Sequence, residues 1–185
     1  SMRWISSGLV GSNFMLRVNL SARQLEDPRL IQDVSGILNA TGFEPSRLCL
    51  EITETALMRD VEEALTILTA LHDLGIEIAV DDFGTGYSSL SSLKRFPIKV
   101  LKIDRSFVDG LPRDPHDAAI VNTILSLAKN LGMVTTAEGV ESPEQRDALI
   151  AMGCPTAQGY LFAKPQAAMH FEAMLAEQSA CEEFA

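Results

Sequence analysis

Basic charge is scarce in this chain, and so are cysteine, histidine and long apolar runs. Fifteen lysines and arginines stand against 25 aspartates and glutamates in 185 residues, a formal net charge of −10. That balance argues against a nucleic-acid polymer or an anionic membrane as partner, because both call for a basic face. It leaves a phosphate ester open as substrate, since bound cations reverse the local sign. Cys49, Cys154 and Cys181 are scattered, without metal-site spacing, and point to a reduced, cytoplasmic setting. No apolar run approaches the ~20 residues of a membrane-spanning helix. No signal peptide is evident either, so no membrane contact is expected from this segment. His72, His116 and His170 all lie away from strand ends, and no serine or cysteine stands beside a credible base. Histidine general-base catalysis and covalent acyl chemistry are therefore disfavoured.

What is present suits one α/β domain. Hydrophobic residues make up 46% of the chain and charged residues 22%, ordinary values at a length that supports a full core. Residues 1–13 read as a polar lead-in, with Ser1-Met2 as a cloning remnant. Strands are expected at 14–18, 48–52, 76–80, 100–103 and 134–137, with a weak one near 156–157. Between them fall helical patterns. Asp27-Pro28 opens one and Gly42 closes it, with Leu30, Ile31, Val34, Ile37 and Leu38 on one face. Asp60 opens the next and Gly75 closes it. A short helix is expected over 88–95, and longer ones over 116–131 (stripe Ile120, Ile124, Leu127, Leu131), from Ser142-Pro143 to Gly153, and over 169–177. Residues 179–185 read as a frayed tail, which leaves 14–178 as the folded portion.

Strand, helix and glycine repeated about six times imply parallel βα units. A TIM-type (β/α) barrel fits better than a doubly wound sheet, because no glycine-rich dinucleotide fingerprint follows the first strand. A complete barrel takes ~250 residues, so the expectation is an incomplete barrel, its later part.

Asn19, Glu51, Asp81 with Asp82, Lys102, Glu138 and Gln158 stand at the strand ends, which in a parallel barrel converge on the active-site face. Singly, each has a plain alternative. Asp81-Asp82 could be a solvated turn with Gly84 and Gly86 supplying φ > 0. Asn19 could cap the segment after it, Lys102 could be a surface lysine, and Gln158 could sit in a turn. Glu51 resists this, because it interrupts an apolar strand and buried glutamates are rare unless paired. As a set, the acids suit hard divalent ions. Two ions ~3.5–4 Å apart are the usual arrangement for phosphodiester hydrolysis. Enolase-like proton abstraction, with Lys102 as base and Mg²⁺ on the acids, is the competing chemistry.

Asn19-Leu20-Ser21, Glu51-Ile52-Thr53-Glu54, Asp81-Asp82-Phe83-Gly84-Thr85-Gly86, Lys102-Ile103-Asp104, Glu138-Gly139-Val140-Glu141 and Gln158-Gly159-Tyr160 resemble, in order and spacing, the EAL-domain cyclic di-GMP phosphodiesterases. The resemblance implies hydrolysis of cyclic di-GMP to linear pGpG with two Mg²⁺ or Mn²⁺ ions, Ca²⁺ being inhibitory. It implies Asn19, Glu51 and Asp81 as ligands of one ion, and Asp81, Asp82 and Glu138 as ligands of the other. Lys102 would contact the nucleophilic water, giving Lys102, Glu138 and Asp82 the catalytic roles. Gln158 would arrange the site, and Glu54 would hold the loop after Asp82. Asp104 and Glu141 are carried over as supporting residues. The family's Glu-Ala-Leu signature, with its metal-binding glutamate, is expected upstream of all these motifs; Glu63-Ala64-Leu65 lies in a helical stretch and is not that signature. On its own the chain is therefore expected to be weakly active or inactive, and to associate as a homodimer. The parent protein is expected to carry an upstream sensor or GGDEF-type domain. A non-catalytic cyclic di-GMP receptor is the alternative.

Overall fold

The computed structural model describes residues 14–86 and 90–182. The lead-in 1–13 and the expected helix start at Ser88 lie outside the described residues. Six strands, β1 (Leu16–Asn19), β2 (Leu48–Thr53), β3 (Glu77–Phe83), β4 (Val100–Ile103), β5 (Val134–Ala137) and β6 (Thr156–Ala157), pair in chain order. Every pairing is parallel. Each strand lies beside the next one in sequence, which is the winding of a barrel; a doubly wound sheet would reverse at a switch point. Among the described residues β1 and β6 are the two edges, so the sheet is an incomplete (β/α) barrel, as expected.

The helices are α1 (Ala22–Leu25), α2 (Leu30–Thr41), α3 (Glu54–Leu57), α4 (Val61–Asp73), α5 (Leu90–Leu93), α6 (Arg105–Val108), α7 (Pro115–Leu131), α8 (Pro143–Ala151) and α9 (Ala168–Glu182). The one-turn helices α1, α3 and α6 were not expected. Each starts at the end of a strand because a capping side chain stands there. Ser21 and Gln24 form a capping box, Thr53 Oγ1 accepts from Ala56 N, and Asp104 Oδ1 accepts from Ser106 N.

Several sequence expectations need correction. Asp27 does not cap α2. Its carboxylate accepts from the amide of Arg29 two residues on (2.9 Å), closing a turn, and the helix begins at Leu30. Ile37 and Ile120 are exposed, at 62% and 37%; the buried stripe of α7 is Val121, Ile124 and Ala128. Helix α9 runs through Glu182, so 179–182 are helical where a frayed tail was expected, and 183–185 lie outside the described residues.

Strand side chains alternate between two environments. Ile52, Ile78, Val80, Leu101 and Ile103 belong to the large core, together with Leu68, Leu71 and Val121 of the helices. On the opposite parity, Cys49, Ala79 and Val100 form a small separate cluster with Met15. One pleat further along the same strands, on the same face, come Glu51, Asp81 and Lys102. The barrel interior therefore has an apolar floor with a charged layer above it.

Candidate metal centre

Lys102 occupies the centre of that layer. It is 3% exposed, and its Nζ lies 2.5 Å from Glu51 Oε2, 2.9 Å from Asp81 Oδ1 and 2.6 Å from Glu138 Oε1. Burial opposes the charged ammonium, but hydrogen bonds to three carboxylates outweigh it and hold the group above the ordinary lysine range. Glu138 follows β5 directly, its amide donating to Ile103 O (3.1 Å). Burial pushes its carboxyl up to about 6, against the pull of Lys102 and with the help of the Asp81 and Glu51 charges.

Asp81 and Asp82 do not follow β3, as the sequence suggested, but lie within it. On a regular strand, consecutive side chains point to opposite faces. Here Val80 pairs with Leu101 and Phe83 with Ile103, three steps on β3 against two on β4, and Asp82 takes φ 54°. This bulge re-aims the second aspartate. In consequence Asp81, Asp82 and Glu138 each bring an oxygen within 4.8 Å of the other two. Burial, then the charges of Asp81 and Asp104, raise the Asp82 carboxyl.

The other expected residues are placed unevenly. Glu51 reaches the cluster through Lys102, and its Oε1 is a buried oxygen with no hydrogen-bond partner. Asn19 pairs in register with Glu51 and is exposed on β1. Gln158 Nε2 donates to Glu138 Oε1 (2.5 Å). Asp104 caps α6 near Asp82; burial raises its carboxyl, but hydrogen bonding, led by Ser106, outweighs this and holds it low. Glu54 is buried, and its Oε2 accepts from Gly84 N (2.9 Å). Gly84 takes φ 100°. Gly86 does not have positive φ; it is small because a Cβ there would lie 2.7 Å from Glu54 Oε1. Glu141 stays out of the acidic cluster and pairs with Arg105 (3.0 Å). His72, His116 and His170 are all exposed.

Beside Glu138 opens a cavity of about 490 Å³, lined by Arg105, Glu141, Gln158, Tyr160 and Lys164 among others. The ammonium of Lys164 lies 5.6 Å from the centre of the Tyr160 ring. Sequence reading missed these cations, and it also missed Arg17. Arg17 interrupts an apolar strand as Glu51 does, so the signal was there.

The donor set fits a divalent ion. Three carboxylates (Glu51, Asp81, Glu138) share the Lys102 ammonium, Asp82 adds a fourth beside them, all donors are oxygen, and one buried carboxylate oxygen has no hydrogen bond. An excess of buried negative charge without a cation is costly.

The EAL domain family model matches residues 2–165. The chain belongs to the EAL domain family. It is 43% identical over 173 residues to the bifunctional diguanylate cyclase/cyclic di-GMP phosphodiesterase MucR of Pseudomonas aeruginosa, covering 94% of this chain and 25% of that protein. It is 41% identical over 162 residues to the cyclic di-GMP phosphodiesterase RocR of the same organism, covering 88% and 41%. It thus spans less than half the length of these curated relatives. Among solved structures, the EAL domain of Mycobacterium smegmatis DcpA superposes with a TM-score of 0.89 at 43% identity, covering 95% of this chain and 78% of that one. The MucR phosphodiesterase in complex with c-di-GMP gives 0.88 at 42%, covering 92% and 68%. Klebsiella pneumoniae BlrP1 in a manganese/cyclic di-GMP complex gives 0.79 at 31%, covering 87% and 41%. These EAL structures carry the barrel architecture seen here.

Proposed function

We propose that this EAL domain hydrolyses cyclic di-GMP to linear pGpG in a reaction that depends on two divalent ions, Mg²⁺ or Mn²⁺, with Ca²⁺ inhibitory. The observation that carries the reading is the convergence of Asp81, Asp82 and Glu138 within 4.8 Å, beside a buried lysine. The manganese and calcium complexes of BlrP1 support the choice of divalent ions. The names of MucR and RocR support the substrate.

Asp81, Asp82 and Glu138 would hold one ion, and Asn19, Glu51 and Asp81 the other. When bound, such ions neutralise phosphoryl charge and lower the pKa of a water. The protein's own groups do the rest. Lys102, fixed by its carboxylates, presents an immobile positive charge in the charged layer, where it can stabilise a hydroxide and the charge developing on the phosphoryl group. Gln158 pins one oxygen of Glu138. Ser106 holds the Asp104 carboxylate in place near Asp82, while Glu54 fixes the loop after β3. The adjoining cavity takes the nucleotide, with Arg105, Lys164 and Glu141 on its wall. An aqueous, cytoplasmic site suits this chemistry, and no helix among the described residues is long and apolar enough to cross a membrane. The bifunctional name of MucR supports a sensor or GGDEF-type partner domain, and β1 and β6, which are edges among the described residues, support a homodimer.

The test is turnover of cyclic di-GMP with Mn²⁺, followed by chromatography of pGpG. With the upstream region restored, product is expected from the wild-type protein and none from Asp81→Ala. Cyclic di-GMP binding without turnover would instead assign a receptor, and undiminished turnover in Asp81→Ala would refute the metal assignment.

A further inference from the structure

Arg17 lies on the edge strand β1, one pleat before Asn19. Its neighbours Leu16 and Val18 line an apolar groove with Val34 and Ile37 of α2. By strand alternation, Arg17 faces the barrel interior. There its Nη1 lies 3.7 Å from Cys49 Sγ, as donor to a poor acceptor, and 3.5 Å from Glu51 Oε1. That oxygen is the buried one without a hydrogen bond. Glu51 thus stands between two cations. One oxygen is gripped by Lys102 at 2.5 Å, and the other faces a guanidinium just out of hydrogen-bond range.

We propose that Arg17 is an internal counter-cation that competes with a divalent ion for Glu51 and so sets this chain's metal affinity. The inference rests on the metal reading above, with Glu51 as a ligand. The free Glu51 oxygen is the atom an ion would take, and any ion there meets a fixed positive charge a few ångströms away. A guanidinium cannot shed its proton to relieve the repulsion. It can only swing aside, which its one-third exposed side chain and long contacts allow. Arg17 touches no reacting atom in this scheme and acts only through Glu51.

The test is calorimetric titration of the whole chain with Mn²⁺ alone, comparing wild type with Arg17→Gln and with Arg17→Met. Methionine keeps the apolar stem, and circular dichroism reports folding of each variant. Both variants are expected to bind Mn²⁺ about tenfold more tightly, the effect of removing one partly screened charge near the ion. Unchanged or weaker affinity in the folded variants would overturn the role of Arg17 while leaving the metal centre standing. Absence of Mn²⁺ binding in the wild type would overturn the metal reading itself, and this proposal with it.

Discussion

The interior between β2 and β5 and the interior beside β1 follow the same alternating pattern, yet they differ in how their charges are met. At the centre, Lys102 has strands on both sides and lies within 2.9 Å of three carboxylates. At the edge, Arg17 has a strand on one side only among the described residues, sits 3.5 Å from its carboxylate and keeps a third of its side chain in solvent. The outer faces differ likewise: β4 is buried throughout, whereas Val18 and Ile37 are 41% and 62% exposed. Burial on both faces forces tight ionic geometry, because an unpaired charge there has no water to fall back on. At an edge, solvent removes that demand.

Four experiments would break or sharpen this contrast. The largest effect is expected from Lys102→Met, which leaves Glu51, Asp81 and Glu138 facing one another. In metal-free buffer at neutral pH it should cost about 3–5 kcal/mol in urea denaturation, and added Mn²⁺ should restore part of the loss. An undiminished midpoint would show that the buried lysine is not what balances the acids. Next, Leu68→Ala in the closed core should cost about 2–5 kcal/mol, whereas Ile37→Ala at the groove should change stability by less than about 1 kcal/mol. Equal losses would mean that the groove is as well packed as the centre.

The third experiment concerns pH. With its carboxyl raised to about 6, Glu138 must lose a proton to ligate an ion. Mn²⁺ affinity should therefore be flat above neutrality and fall as pH drops through about 6, by about tenfold per unit once a single proton competes. A profile flat down to pH 5 would remove Glu138 from the ligand set. The smallest effect is expected at the surface, where Arg95 and Glu62 pair at 2.7 Å in full solvent. Arg95→Gln should leave the melting temperature unchanged within error.

Much of the fold was legible because its signals are local. Short apolar runs, helical stripes and closing glycines gave six parallel units in order. The one-turn helices α1, α3 and α6 escaped notice because four residues carry no periodicity, only a cap. Ile37 and Ile120 were misassigned for a related reason: a helical stripe states which residues share a face, not whether anything covers that face. Asp81 and Asp82 were recognised as candidate ligands, but the bulge that aims them together depends on pairing with β4, which lies about 20 residues on in sequence.

Residue order alone determined that this is a parallel βα chain with Glu51 as a misfit in an apolar strand, since backbone periodicity and the cost of burying charge act on short stretches; the EAL resemblance came from the motifs at the strand ends. Only the tertiary structure decided that Lys102 would bind Glu51, 51 residues away, together with Asp81 and Glu138. It alone decided that Asn19 and Arg17 would lie on β1, an edge strand among the described residues. Contacts of that span are set by strand register and by which edges find neighbours, and neither is written in any one segment of the chain.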